Sequence, residues 1–296
     1  MDTILVRPAY AKVNLHLAVG QPFQDGYHPI RSLFALVNLA DDVSITVKGE
    51  RNFKVEVTGL EAFQLDGEDT LTKAARLWCE RTRLPLSLHI DCKKRIPSQA
   101  GLGGGSSDAA SVLLLLQEYA GEAALDEKSL VDIALQVGSD VPFFLSSQSC
   151  AIVTGRGEVI TPIQQRDLAL CLVMPTFFSA STSSAYARLD EVRSGSLVTL
   201  GPAGEEIAEV FEKSPAVWKS LLYNDFQQGV VHQDFYGQLE QLCGTSHGYC
   251  GLTGSGACWF FVSDDTKQVQ AVYDEIQMQF GAGVMSWKTG LVMKIR

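Results

Sequence analysis

The chain has 296 residues, room for about two domains at roughly 100–200 residues each. Hydrophobic residues make up 46% and charged residues 20%, a globular balance that excludes a disordered chain. A net charge of −10 and a pI near 5.0 exclude a large basic footprint for nucleic acid, but local fields and backbone dipoles still admit an anionic substrate.

In chain order, Met1–Pro8 has no basic stretch followed by an apolar one, so neither a secretory signal nor a transit peptide is expected. Arg7–Val19 alternates as a strand around Val13, Leu15 and Leu17, and a polar turn follows over Gly20–Pro29. Ile30–Leu39, Val43–Lys48 and Phe53–Val57 read as three more strands. Asp69-Thr70 offers a cap before a helix over Leu71–Arg81, and Leu86–Asp91 is another strand. A glycine-rich run then leads into a helix over Ala109–Tyr119, with further helix over Leu125–Gly138. After the short Ala151–Thr154 segment the softest boundary lies near Thr154–Pro162, where the Gly155-Arg156-Gly157 turn separates the halves. Residues 1–160 and 161–296 are therefore expected as two domains. Beyond it, Ala169–Met174 reads as a strand, Ser181–Ala187 and Ala203–Lys213 as helices, Ala257–Val262 as a strand and Gln268–Phe280 as a helix. Strands and helices alternate irregularly, which favours α+β over a doubly wound parallel sheet.

The longest run without Asp, Glu, Lys or Arg, Leu168–Ala187, contains Pro175 and is crowded with Ser and Thr, so no membrane span is expected. Cys79, Cys92, Cys150, Cys171, Cys243, Cys250 and Cys258 never form a CxxC pair. Reduced thiols, no bound metal and a cytoplasmic setting are the expectation.

Lys93-Lys94-Arg95-Ile96-Pro97-Ser98-Gln99-Ala100-Gly101-Leu102-Gly103-Gly104-Gly105-Ser106-Ser107-Asp108 stands apart. Four glycines in five positions are costly inside a regular element and useful where backbone must approach a ligand. Ser106, Ser107 or Asp108 can cap the helix that follows. The N–H groups of Gly103–Ser107 then point outward with the positive end of the helix dipole, an anion site. No Gly-Lys-Ser/Thr follows, so this is not a Walker A loop, and the spacing lacks the third glycine of a dinucleotide fingerprint.

The run Pro97–Ala110 resembles the phosphate loop of the GHMP kinases, which include galactokinase, homoserine kinase and mevalonate kinase. Pro8-Ala9-Tyr10-Ala11-Lys12-Val13-Asn14-Leu15 and Gly138-Ser139-Asp140-Val141-Pro142-Phe143-Phe144-Leu145 resemble two further motifs of that family. Gly155-Arg156-Gly157-Glu158, Asn224-Asp225-Phe226 and Leu252-Thr253-Gly254-Ser255-Gly256-Ala257 fall in family order. Asp25-Gly26-Tyr27-His28 resembles a motif of one branch only, whose substrate carries a cytidine.

This resemblance implies an α+β fold of two lobes with the active-site cleft between them. It implies transfer of the γ-phosphoryl of ATP to the 2-hydroxyl of 4-diphosphocytidyl-2-C-methyl-D-erythritol, a step of non-mevalonate isoprenoid precursor biosynthesis. Asp140 would accept the hydroxyl proton and Lys12 would neutralise developing charge. Lys94, Pro97, Gly101, Leu102, Gly103, Gly104, Gly105, Ser106 and Ser107 would hold the ATP phosphates, with Mg²⁺ arriving on the nucleotide. Tyr27, His28 and Tyr186 would hold the cytosine, Thr182 would contact the substrate, and Asn14 would meet the methylerythritol end. A GHMP kinase for homoserine, mevalonate or a sugar is the first rival, opposed by Tyr27-His28, because those substrates have no base to clamp. A non-catalytic nucleotide-binding module is the second, opposed by the retention of Lys12 and Asp140.

Overall fold

The computed structural model describes residues 2–49, 52–61, 67–196, 198–244 and 246–293. Among the described residues ten strands and eight α-helices succeed one another: β1 (Thr3–Val19), β2 (Ile30–Gly49), β3 (Lys54–Thr58), α1 (Thr70–Thr82), β4 (Ser87–Lys93), α2 (Gly104–Ala120), α3 (Glu127–Val137), α4 (Val141–Leu145), β5 (Cys150–Gly155), β6 (Val159–Pro162), β7 (Ala169–Pro175), α5 (Thr182–Val192), α6 (Gly204–Phe211), α7 (Gln233–Cys243), β8 (Tyr249–Leu252), β9 (Trp259–Ser263), α8 (Thr266–Phe280) and β10 (Val284–Gly290). The pairs β2–β4, β2–β5, β5–β6, β7–β9, β7–β10 and β8–β9 are antiparallel and β3–β4 is parallel, which agrees with the α+β expectation.

The chain forms two compact units that interleave in sequence. The first is Met1–Ala11, Leu39–Ser98 and Gly103–Ser147; the second is Lys12–Asn38, Gln99–Leu102 and Gln148–Arg296. A single division near residue 160 therefore coincides with neither unit, because β1 and β2 each contribute to both.

In the first unit the C-terminal part of β2 pairs with β4, from Asp42 opposite Lys93 to Val47 opposite Leu88, and β3 runs parallel to β4. Val43, Ile45 and Val47 alternate inward with Leu88 and Ile90, as period-two patterning demands. Leu71, Ala74, Ala75 and Trp78 recur at helical spacing on α1, and Leu113 and Leu116 of α2 join them in one buried cluster. Asp69 caps α1 as expected, accepting from the N–H groups of Leu71 (2.9 Å) and Thr72 (2.8 Å).

In the second unit the N-terminal part of β2 pairs with β5, from Ile30 opposite Gly155 to Ala35 opposite Cys150, and β5 pairs with β6. A separate four-stranded sheet has the order β10-β7-β9-β8. Its central strands are apolar except for Ser263 at the end of β9, and Val269, Val272 and Ile276 bury one face of α8 against it.

β2, α2, α7 and β10 differ from the sequence reading. β2 is one strand of twenty residues, where Ala40-Asp41-Asp42 suggested a break. Asp41 is buried, and its carboxylate accepts from Lys94 and from the backbone N–H groups of Arg95 and Ile96, so charge there does not make a turn. α2 starts at Gly104 and not at Ala109, with Gly103 at its cap position at φ +70°. α7 and β10 were not anticipated: the helical spacing of Phe235, Tyr236, Leu239 and Cys243 is the signal that marks α7, whereas β10 depends on its partner β7.

Among the described residues no helix is long and apolar enough to cross a membrane. All seven cysteines are unpaired, six of them buried.

Candidate functional site

In the first unit the glycine loop becomes the beginning of α2. Gly103 has no side chain to cap the helix, and the first N–H to reach back is that of Ser107, which donates to the Gly103 carbonyl at 2.9 Å. Ser106, Ser107 and Asp108 lie inside the first turns and do not cap. The N–H groups of Gly104, Gly105 and Ser106 thus head a helix of seventeen residues with no capping side chain in front of them. That is the electrostatic arrangement an anion uses. The Thr70 hydroxyl braces the turn by donating to the Gly105 carbonyl at 3.1 Å.

Asp140 sits at the head of α4, where the sequence placed it, and is half-buried. Its turn lies beside the same helix start: a Cβ on Gly138 would come 3.7 Å from the Ser106 hydroxyl. The structure therefore brings the proposed proton acceptor's turn close to the proposed phosphate loop.

Lys94 is differently engaged. Its ammonium donates to Asp41 and, at 2.6 Å, to Asp108, both essentially unexposed. The positive charge expected at the phosphates is already met by two carboxylates. Burial pushes the Asp108 carboxyl up to about 7, with Asp41 adding to the rise and Lys94 opposing it. The Lys94 ammonium would lie 3.4 Å from a Cβ on Gly104, so this ion cluster underlies the first turn of α2. Asp41 carried no motif, and only its unusual place in an apolar strand marked it.

In the second unit Lys12 is 3% exposed on β1. Its ammonium donates to the Asn14 side-chain oxygen and lies 4.7 Å from the centre of the Phe34 ring. Asn14 donates through its amide nitrogen to the Ser32 hydroxyl at 2.9 Å, and its backbone N–H donates to the Thr253 hydroxyl at 2.9 Å. Ser32 and Thr253 are thus the partners that sequence reasoning missed; Thr253 lies 239 residues from Asn14.

Leu102 accepts at 2.9 Å from the Lys12 backbone N–H, which fixes the upstream part of the glycine loop to β1. Gly101, at φ +73°, lies so close to the Thr253-Gly254-Ser255-Gly256 turn that a Cβ would meet the Thr253 carbonyl oxygen at 2.1 Å. The second glycine turn thus seats the first. Asn224 completes it, donating to the carbonyls of Leu252 (2.7 Å) and Gly254 (2.9 Å).

The aromatic residues separate into two groups. His28 packs on Tyr186 of α5 with ring centres 4.8 Å apart, and Tyr186 meets Phe226 edge-on at 4.9 Å. His28 Nε2 lies within hydrogen-bond distance of Asp190 Oδ1, at 2.9 Å. Tyr27 is 60% exposed and lies instead beneath the Arg156 guanidinium, 5.0 Å away. Thr182, at the start of α5, shares a hydrogen bond of 3.2 Å with Ser255 of the second glycine turn.

Comparison with known proteins agrees with this geometry. Residues 69–148 match the GHMP kinases N terminal domain. A 4-diphosphocytidyl-2-C-methyl-D-erythritol kinase of Methylacidiphilum infernorum is 32% identical over 93% of this chain and 92% of its own. One of Anaeromyxobacter dehalogenans is 37% identical over 91% of this chain and 80% of its own. The crystal structure of a 4-(cytidine 5'-diphospho)-2C-methyl-D-erythritol kinase superposes with a TM-score of 0.73 at 28% identity, covering 97% of this chain and 99% of that one. The crystal structure of L. major mevalonate kinase shares the fold alone, with a TM-score of 0.63 at 15% identity over 98% of this chain and 96% of that one.

Proposed function

The chain belongs to the 4-diphosphocytidyl-2-C-methyl-D-erythritol kinases of the GHMP family, and from that premise we propose how its residues divide the work. The enzyme phosphorylates 4-diphosphocytidyl-2-C-methyl-D-erythritol with ATP as co-substrate. In our reading the acceptor is the 2-hydroxyl and Mg²⁺ enters as part of the nucleotide. The cation is held by the phosphates with help from Ser106 or Ser107.

Phosphoryl transfer through a loose transition state needs positioning and charge neutralisation more than covalent chemistry. The N–H groups of Gly104, Gly105 and Ser106 hold phosphate oxygens, with Gly101 and Leu102 fixing the approach to the loop and Pro97, Gly103 and Ser107 shaping it. Lys94 holds the base of the loop from below. The substrate oxygen attacks the γ-phosphorus while the bond to the β-bridging oxygen breaks. Asp140 takes the hydroxyl proton, and ADP leaves. The Lys12 ammonium neutralises charge that develops on the transferring group, and Asn14, held by Ser32 and Thr253, orients the methylerythritol hydroxyls.

Cytosine recognition falls to Tyr27, His28 and Tyr186, with Thr182 nearby on α5. The His28 ring, anchored to Asp190 through Nε2, offers a polar edge to the cytosine. In the functional division proposed here, residues 1–160 contribute the ATP loop and residues 161–296 contribute Thr182 and Tyr186.

The observation that carries this reading is the pairing of His28 with Tyr186, a flat polar-edged surface built from a loop and a helix far apart in sequence. Homoserine and mevalonate offer no ring for it. Coupled measurement of ADP release with 4-diphosphocytidyl-2-C-methyl-D-erythritol, homoserine and mevalonate tests it. Turnover is expected with the cytidine substrate only, and turnover with either of the others at comparable efficiency would overturn it.

A further inference from the structure

Two pieces of the sequence motifs have no part in the chemistry above: the acid of Asp25-Gly26-Tyr27-His28 and the arginine of Gly155-Arg156-Gly157-Glu158. The structure joins them. Arg156 Nη2 donates to Asp25 Oδ2 at 2.6 Å. The same guanidinium lies over the Phe23 ring at 5.2 Å and over the Tyr27 ring at 5.0 Å. One side chain on the β5–β6 turn thus contacts three of the five residues of the Phe23–Tyr27 turn.

Both turns are fixed from within. Phe23 N–H donates to the Tyr27 carbonyl at 2.7 Å, Gly26 N–H to the Phe23 carbonyl at 3.0 Å, and Tyr27 N–H to Asp25 Oδ1 at 3.2 Å. On the other side, Glu158 accepts from the Arg156 backbone N–H, and its carboxylate fills the space a Cβ on Gly155 would take, 2.4 Å away. Gly155 also has φ +75°, which favours glycine there. The ion pair by itself is half-exposed, 43% and 50%, and such pairs contribute little. Its value lies in combination: Asp25 sets where the guanidinium sits, and the guanidinium then covers one face of Tyr27. The Asp25 carboxyl is correspondingly held below its usual range, first by the hydrogen bond from Arg156.

We propose that Arg156 is a positioning residue for nucleobase recognition: paired with Asp25 and stacked on Phe23 and Tyr27, it holds the Gly20–Pro29 loop in the conformation that presents the other face of Tyr27, and with it His28, to the cytosine. The inference rests on the reading that Tyr27 and His28 bind the base. A guanidinium placed here for the substrate's diphosphate would be a different role, and the test separates the two.

Arg156→Gln, Arg156→Lys, Asp25→Asn and Tyr27→Ala are compared with the unmodified enzyme for kcat, for KM of each substrate, and for inhibition by cytidine and by cytidine 5'-diphosphate. Arg156→Gln is expected to raise KM for the cytidine substrate by roughly five- to tenfold, the factor of one cation–π contact with its ion pair. KM for ATP should not move. The inhibition constants of cytidine and of cytidine 5'-diphosphate should rise by the same factor, because a misplaced ring weakens the base alone. Arg156→Lys should recover most of the loss, and Asp25→Asn should show a smaller one. Weaker cytidine 5'-diphosphate with unchanged cytidine overturns the proposal in favour of direct phosphate contact. An unchanged KM in Arg156→Gln, with KM raised in Tyr27→Ala, overturns it while the base clamp stands. No effect in either variant removes the clamp itself.

Discussion

A lysine at 3% exposure costs stability unless it is paired, and Lys12 shares its strand with Asn14 and packs over the Phe34 ring. An apolar residue would fold better there, and on the proposed reading the charge serves the transferring phosphoryl group. Asp140→Asn keeps the shape and removes the proton acceptor. Turnover should fall by at least about 10²-fold, the lower figure for general-base catalysis, with both KM values far less affected. Lys12→Met should lower turnover too, and the double variant should be much less impaired than the product of the two losses if the pair works as one group. Single-turnover transfer by Asp140→Asn at the unmodified rate would end the proton-acceptor role. Asp108 gives a residue-scale prediction of another kind. Its carboxyl is lifted from 3.8 to about 7 by burial, so the folded state holds a proton that the unfolded chain has released. Its contribution to stability is therefore lost as pH rises from about 4 to about 7. Asp108→Asn removes that slope, and the melting temperature of the variant minus that of the unmodified protein should become more positive between pH 5 and pH 8. A difference independent of pH would contradict the assignment. At this scale Lys12, Asn14 and Asp140 were legible because they sit in local motifs. Asp41 and Ser32 were not, because each is tied to a partner outside its own segment; Thr253 was legible within the second glycine motif, but its bond to Asn14, 239 residues away, was not.

Elements were legible where periodicity acts within one segment. α1, with its Asp69 cap and its buried Leu71, Ala74, Ala75 and Trp78, needed nothing from elsewhere. β2 was misread as two strands because polarity at Asp41 is compensated by Lys94 and by two backbone N–H groups, none visible locally. The start of α2 was misread for the opposite reason: glycine disfavours helix interiors, but Gly104 and Gly105 occupy its first turn, where N–H groups are unpaired in any case. The consequence is testable at Gly104. A Cβ there would sit 3.0 Å from the Ile96 side chain and 3.4 Å from the Lys94 ammonium, so Gly104→Val must shift the turn and disturb the Asp41–Lys94–Asp108 cluster beneath it. Displacing one charge-assisted hydrogen bond costs about 1.5–3 kcal/mol, so the KM for ATP should rise by roughly 10- to 100-fold while the KM for the cytidine substrate stays near its unmodified value. Measured ATP affinity that does not change in a folded Gly104→Val would remove the loop from the phosphate site.

At the scale of the molecule, the sequence suggests a division near residue 160, and a composition shift of that kind marks a turn and says nothing about which strands run through both units. The second unit draws on Lys12–Asn38 and Gln99–Leu102 as well as on the C-terminal half. A fragment of residues 161–296 keeps the whole β10-β7-β9-β8 sheet and its helices, but it loses partners that those elements use. The Val19 N–H no longer donates to Asp225 (2.7 Å), the Leu17–Asn224 and Val37–Leu291 bridges are gone, and the Leu36 carbonyl no longer accepts from Val292 (2.9 Å). The N–H groups of Ala257 and Cys258 lose the carbonyls of Gln99 and Ala100. Asp225 in particular is left buried against Arg193 with its other oxygen unanswered, and each buried polar group without a partner costs about 1–3 kcal/mol. Several such losses equal or exceed the roughly 5–15 kcal/mol by which a domain is stable. The fragment 161–296 should therefore lack a near-ultraviolet circular dichroism signal and a cooperative melt, whereas the full chain should show both. A sharp melting transition in the fragment, at a temperature close to that of the full chain, would mean that the N-terminal strands only decorate a C-terminal domain that folds by itself, and the division at residue 160 would then be the physical one.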